Sequence, residues 1–220
     1  IWASGNVLWS TDEGTGNSVI KKTECNPNGY NADKEPAKEP TLDLISSIDY
    51  NHDHDISATC VQELNGRLYM SYHTRDTKHG GCIEVFSPVE NNKVTLDQYL
   101  CDEQKDLDFN HLLATQLNSG KRMVYLPGSS FKKGAMLAYI PIQDNKLLAD
   151  KSMSITSTVN GKDTVIYEKP LQFIQMNPAT GAYKGYDENC VVYNDKTNHL
   201  IVATTKGYLV YNADTYNEID

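Results

Sequence analysis

Three segments of the chain share one layout, and a layout that recurs along a sequence restricts the fold more tightly than any single motif. Lys196–Thr215 (KTNHLIVATTKGYLVYNADT), Arg67–Pro88 (RLYMSYHTRDTKHGGCIEVFSP) and Arg122–Ile142 (RMVYLPGSSFKKGAMLAYIPI) each carry an apolar run, a polar loop containing glycine, a second apolar run and a turn. Short apolar runs punctuated by Gly, Asn and Asp read as strands joined by tight turns. Repetition of that unit predicts consecutive antiparallel hairpins. Helix signals are almost absent: Leu107–Leu117 can be drawn as an amphipathic helix, but Asn110, Thr115 and Asn118 are poor helix formers, and the repeat assigns part of the segment to a strand.

Around these segments the strands fall into groups of four. Ile56–Leu64, Arg67–His73, Cys82–Ser87 and Val94–Leu100 form one group, with Asn65-Gly66 as a hairpin turn because both residues tolerate positive φ. Leu112–Leu117, Arg122–Leu126, Ala135–Ile140 and Leu147–Ile155 form the next, with Asn118-Ser119-Gly120 in place of Asn65-Gly66. A further copy runs through Cys190–Tyr193, His199–Thr204 and Tyr208–Tyr211 and reaches Asp220 with its fourth strand barely begun. Counted on the second strand, the copies start at Arg67, Arg122 and His199, giving spacings of 55 and 77 residues. The excess is assigned to an extra hairpin inserted at 158–187. Ile1–Lys22 reads as a strand pair, and Glu24–Asp43 (ECNPNGYNADKEPAKEPTLD), with almost nothing to bury, reads as a surface loop.

Four antiparallel strands per repeat is the make-up of a propeller blade. The expected fold is therefore all-β: one β-propeller domain over 1–220, with approximate blades at 1–24 (partial), 44–102, 108–157 and 188–220 (partial), and insertions at 25–43 and 158–187. Closed propellers have about 4 to 8 blades. The start reads as the outer strands of one blade and the end as the inner strands of another, so an incomplete set from a larger ring is expected over a closed four-bladed one.

The pattern, plainest in HLIVATTKGYLVYNADT, resembles bacterial β-propellers of the YVTN/LVIVD-repeat type over most of the chain. Ser10, Asp12 and Gly14 also match the first half of an Asp-box (Ser-x-Asp-x-Gly-x-Thr-Trp), while Gly16 and Asn17 stand where Thr and Trp belong. In proteins with that motif it lies in the turn between the outer two strands of a blade. The resemblance implies an exported bacterial cell-envelope protein, periplasmic or at the cell surface. Because the chain opens on Ile1 rather than Met, a preceding leader or lipid-attachment segment is expected.

The chain is acidic, with a formal net charge of -9 and a pI near 5.1, which disfavours nucleic acids and anionic membrane surfaces as partners. No run approaches the ~18 apolar residues that read as a membrane span. The five cysteines (Cys25, Cys60, Cys82, Cys101, Cys190) match no zinc spacing. If Asn91-Asn92 is a two-residue turn, Cys82 falls opposite Cys101, which leaves both a disulfide and two half-buried thiols open. None of the asparagines starts an Asn-x-Ser/Thr acceptor.

In a propeller the residues leading into each innermost strand ring the channel mouth. Here they are Asn51-His52-Asp53-His54-Asp55, Asp108-Phe109-Asn110-His111 and Asp187-Glu188-Asn189. His54, Asp55, His111 and Asn189 are the candidate ligand-binding residues, since imidazole and carboxylate groups suit a small polar ligand or a divalent cation. The competing reading is that these are solvated turn residues. NHDHD is not an EF-hand loop, because Gln62 occupies its twelfth position. No catalytic residues, metal site or cofactor are assigned: there is no Gly-x-Ser-x-Gly elbow, P-loop or dinucleotide fingerprint. A sialidase-like glycosidase needs three converging arginines, but Arg67 and Arg122 occupy equivalent places in successive repeats, and the Arg-Ile-Pro signature is absent. The sequence leans towards a non-catalytic module that binds a small polar ligand, carbohydrate or protein through the mouth and loops. A lactonase-like or glycosidase-like hydrolase with its site at the channel mouth, and a purely structural scaffold, are the alternatives. Tyr30, Phe131, Tyr183, Tyr186, His73 and His79 are the loop side chains suited to such contacts.

Overall fold

Most of the apolar runs fold as strands, and among the described residues the β5–β6, β12–β13 and β17–β18 turns carry Asn, Asp or Gly at positive φ. In a computed structural model of the chain, residues 2–4, 7–13, 17–26, 41–51, 58–72, 81–87, 96–101, 107–130, 134–148, 154–159, 162–168, 172–175, 188–204 and 207–219 are described. Among them the fold is all-β and antiparallel, with no helix. A first sheet takes β1 (Trp2–Ser4), β2 (Val7–Glu13), β3 (Asn17–Asn26) and β4 (Thr41–Asn51) in chain order. The second begins with β5 (Ala58–Leu64), β6 (Arg67–Tyr72), β7 (Cys82–Phe86) and β8 (Leu96–Cys101), again in chain order. The third is built on β9 (Leu107–Phe109), β10 (Leu113–Gln116), β11 (Arg122–Ser130), β12 (Gly134–Gln143) and β13 (Lys146–Leu147). After β14 (Ser154–Val159), β15 (Lys162–Glu168) and β16 (Gln172–Gln175), the fourth sheet takes β17 (Glu188–Asn194), β18 (His199–Thr204) and β19 (Gly207–Asn212).

Asn65 and Gly66 have φ of 53° and 75°, which makes the β5–β6 connection the primed type that matches strand twist. Cys82 and Cys101 are Cα partners across β7 and β8, as the hairpin arithmetic predicts. The register slips between Val85 and Phe86, so the strand pair reaches its turn one residue out of step with a simple Asn91-Asn92 hairpin.

Strand alternation explains how the sheets stack. Successive side chains point to opposite faces, and both faces of the third sheet are apolar. Val124 and Leu126 of β11, with Met136, Ala138, Ile140 and Ile142 of β12, join Tyr69, Ile83, Val85 and Leu100 of the second sheet in one core. Met123 and Tyr125, with Leu137, join Val191, Leu200, Val202 and Tyr211 of the fourth sheet in another. The third sheet is thus the middle layer, and each large apolar side chain buried in it contributes about 1.5–3 kcal/mol. Two buried glutamines tie the second sheet to the third. Gln62 Oε1 of β5 accepts from Ala114 N of β10 at 2.8 Å. Gln98 of β8 accepts from Leu147 N at 2.8 Å and donates from Nε2 to Leu147 O at 3.4 Å. The far face of the fourth sheet is less covered, with Val192 50% and Tyr208 73% exposed.

Three features differ from the sequence expectation. The first sheet has four strands where a strand pair and a loop are expected: β3 extends to Asn26, and Thr41–Asn51 closes the sheet against it. The partial Asp-box hairpin therefore joins the second and third strands of its sheet rather than the outer two. The fourth strand expected over Leu147–Ile155 is divided. β13 holds one end of β12 through Ile142↔Leu147, and β16 holds the other through Met136↔Gln175 to Tyr139↔Gln172. The β14–β15 hairpin instead pairs with β8, through Ile155↔Leu100 and Thr156↔Tyr99, and extends the second sheet to six strands. Periodicity identifies a strand but not which exposed edge it will find, because any unpaired edge offers the same row of donors and acceptors.

Candidate functional site

The first strands of successive sheets come together. β10 lies between β5 and β17, and β1 and β2 lie against β5. The inner strands β5, β9–β10 and β17 all lose regular pairing where they enter this region. In β5 the register shifts between Ala58 and Cys60, leaving Thr59 as the extra residue; in β17 it shifts between Glu188 and Cys190, leaving Asn189. In the third sheet the inner strand is broken outright between β9 and β10, at 110–112. Pro127, which has no N–H to give, faces that break between the pairs Leu113↔Tyr125 and Gly128↔Phe109. Asn110 N donates to Pro127 O at 3.0 Å and holds the loop that carries His111. Bulges and breaks re-aim side chains and often mark functional sites.

The side chains so placed form a small polar group in a largely apolar wall. His111 Nε2 lies 3.9 Å from Cys190 Sγ. His111 Nδ1 is enclosed and has no hydrogen-bond partner among the described residues. Cys60 Sγ donates to Leu112 O at 3.5 Å, and Thr59 Oγ1 shares a hydrogen bond with Ser71 Oγ at 2.7 Å. Burial lowers the His111 pKa from 6.5, so the imidazole is neutral at pH 7, with one nitrogen able to donate and the other to accept. Burial raises the pKa of both Cys60 and Cys190, so both remain thiols. The arrangement offers neutral donors and acceptors rather than a thiolate nucleophile. Among the described residues no group of three His, Cys, Asp or Glu side chains is placed to hold a metal ion.

Of the four residues singled out in sequence, His111 stands in this group. Asn189 is the bulged residue of β17, its backbone beside Cys190. His54 and Asp55 lie outside the described residues, as do the loop residues Tyr30, His73, His79, Phe131, Tyr183 and Tyr186. Cys60 and Cys190 were not anticipated. The signal was present as a short recurrence, Thr59-Cys60-Val61 and Asn189-Cys190-Val191, at the same point of two inner strands. Compared with known protein families the chain matches none, and it matches no curated protein.

Proposed function

We propose that the chain is a set of consecutive β-propeller blades acting as a non-catalytic binding module, with a small polar ligand held where the inner strands converge. One observation carries this reading: β5, β10 with its break, and β17 all depart from regular pairing at their entry into the same region. A scaffold would gain nothing from three such departures, since each forfeits ladder hydrogen bonds. His111 is the anchor on this reading and Asn189 flanks it; His54 and Asp55, which precede β5 in sequence, are proposed to serve the same ligand. The all-β repeats and the resemblance to YVTN/LVIVD-type propellers support an exported bacterial cell-envelope protein. A lactonase-type hydrolase is the alternative; the neutral His111 and thiols favour hydrogen bonding to a ligand.

The test is thermal denaturation of the parent, His111→Ala and Asp55→Ala with calcium, zinc and a panel of monosaccharides. A ligand that raises the parent Tm should raise neither variant's. Equal shifts in all three proteins would remove the mouth as the site.

A further inference from the structure

At the other end of the third sheet, about 17 Å along the inner strand from His111 at ~3.3 Å per residue, lies a cavity of about 410 Å³. It opens between the third and fourth sheets, and its wall includes Arg122, Lys121, Tyr139, Tyr216, Leu148 and Asp214. We infer that this cavity is a second binding site, for a small aromatic carboxylate, with Arg122 gripping the carboxylate and Tyr139 and Tyr216 covering the ring.

The charge argument comes from the repeat. Arg67 and Arg122 each open the second strand of their sheet. Arg67 is spent on structure: its guanidinium donates to Asp97 of β8 in an ion pair. Arg122 has no such partner. Its Nη1 donates to the neutral Asn145 Oδ1 at 2.6 Å, and no carboxylate stands within ion-pair distance of it among the described residues. The short β13 supplies only Lys146 and Leu147, and Leu148 forms the wall beyond it. The remaining donors of a planar guanidinium, in a half-buried place next to a second cation, suit a carboxylate held by two parallel hydrogen bonds. Asp214 is the one acid in the wall among the described residues, and it is already engaged: Asn198 Nδ2 donates to its Oδ2 at 2.7 Å, and hydrogen bonds from Asn198 and Ser119 hold its pKa below the usual range.

The ring argument comes from Tyr216. Its φ is 59°, in the left-handed region; the other non-glycine residues with positive φ are all Asn or Asp, which take that conformation readily. A bulky residue held there is strained and marks a place where side-chain position matters. Tyr216 N donates to Asn212 O at 2.8 Å, and the ring is placed 4.4 Å from Tyr139 and edge-on to Tyr125 at 6.3 Å. The two rings, packed on each other, form one aromatic wall beside apolar Met123 and Ile142 against which a flat hydrophobic body can lie, with the cations at its rim. The volume lies within the range of small-molecule pockets.

The probe is 2-naphthoate, followed by fluorescence and calorimetry on the parent protein, with 2-naphthamide as its uncharged counterpart. Saturable binding of naphthoate is expected, at least tenfold tighter than of the amide. Arg122→Gln should weaken it at least tenfold, and Arg122→Lys, which keeps the charge but not the fork, by less. Arg67→Gln should leave it unchanged, and circular dichroism of each variant confirms that it is folded. Absence of naphthoate binding to the parent would overturn the inference. So would equal binding by folded Arg122→Gln, or loss of binding in His111→Ala in place of Arg122→Gln, which would place the ligand at the mouth.

Discussion

The second and third sheets are copies of one unit that diverge at both margins. The second has a continuous inner strand, β5, and a full outer strand, β8, whose Asp97 neutralises Arg67. The third has its inner strand broken at 110–112 and its outer strand divided between β13 and β16. The middle strands, which fill both cores, hardly differ in layout. Packing therefore preserves the centre of the repeat, where large apolar side chains interdigitate on two faces, and leaves its margins free to vary. At the inner margin the variation brings a buried His111 beside Cys190, and at the outer margin it leaves Arg122 without an acid among the described residues.

The contrast can be broken most forcefully at the inner margin. Gly128 sits where β11 meets β9, and a Cβ there would lie 1.9 Å from the carbonyl oxygen of Asp108. Gly128→Ala should cost about 3 kcal/mol, because backbone rather than a flexible side chain has to move; urea unfolding measures it, and a loss under about 0.5 kcal/mol would refute the packing of β9 on β11. At the outer margin, Gln98→Leu strips both partners from the buried Leu147 backbone. A loss of about 2 kcal/mol is expected, with faster amide exchange at Leu147. Smaller still is the arginine pair. Arg67→Gln should lower stability by about 1 kcal/mol, for a partly exposed ion pair, and Arg122→Gln by less than about 0.5 kcal/mol. Equal losses would mean that both arginines serve the fold.

The smallest effect expected is on pH dependence. His111 has a folded pKa below 6.5, so as pH falls through 6.5 the unfolded chain takes up a proton that the folded chain refuses. Stability should fall as pH drops through that window, and His111→Gln should flatten the slope. Denaturant midpoints between about pH 7 and 5 provide the check, and an unchanged slope would contradict a buried, neutral imidazole.

Much of this architecture was legible in the sequence because the strands are short, apolar and separated by turn residues. The Asn65-Gly66 turn and the Cys82–Cys101 register both follow from hairpin geometry. What periodicity could not supply was edge choice. β14–β15 and β16 are readable as strands or strand-like runs, but the sheet each joins is decided by which edges the core leaves open, and the Thr41–Asn51 strand is evident only in its pairing with β3. The site was half legible. His111 stood out as an ionisable residue ahead of a strand, whereas Cys60 and Cys190 look like ordinary strand residues until the bulges beside them are seen. The Tyr139–Tyr216 ring pair was hidden because its two rings are far apart in sequence and meet only through the contact of two sheets.

The convergence of the inner strands bears the whole functional reading, and nuclear Overhauser contacts test it most directly. Cross-peaks are expected from the Ala114 amide proton to the Gln62 γ-methylene, and from the His111 ring to the Cys190 β-methylene. Their absence, in spectra that do show the cross-strand contacts of β10 with β11 and β17 with β18, would mean that the sheets form but their inner strands do not meet.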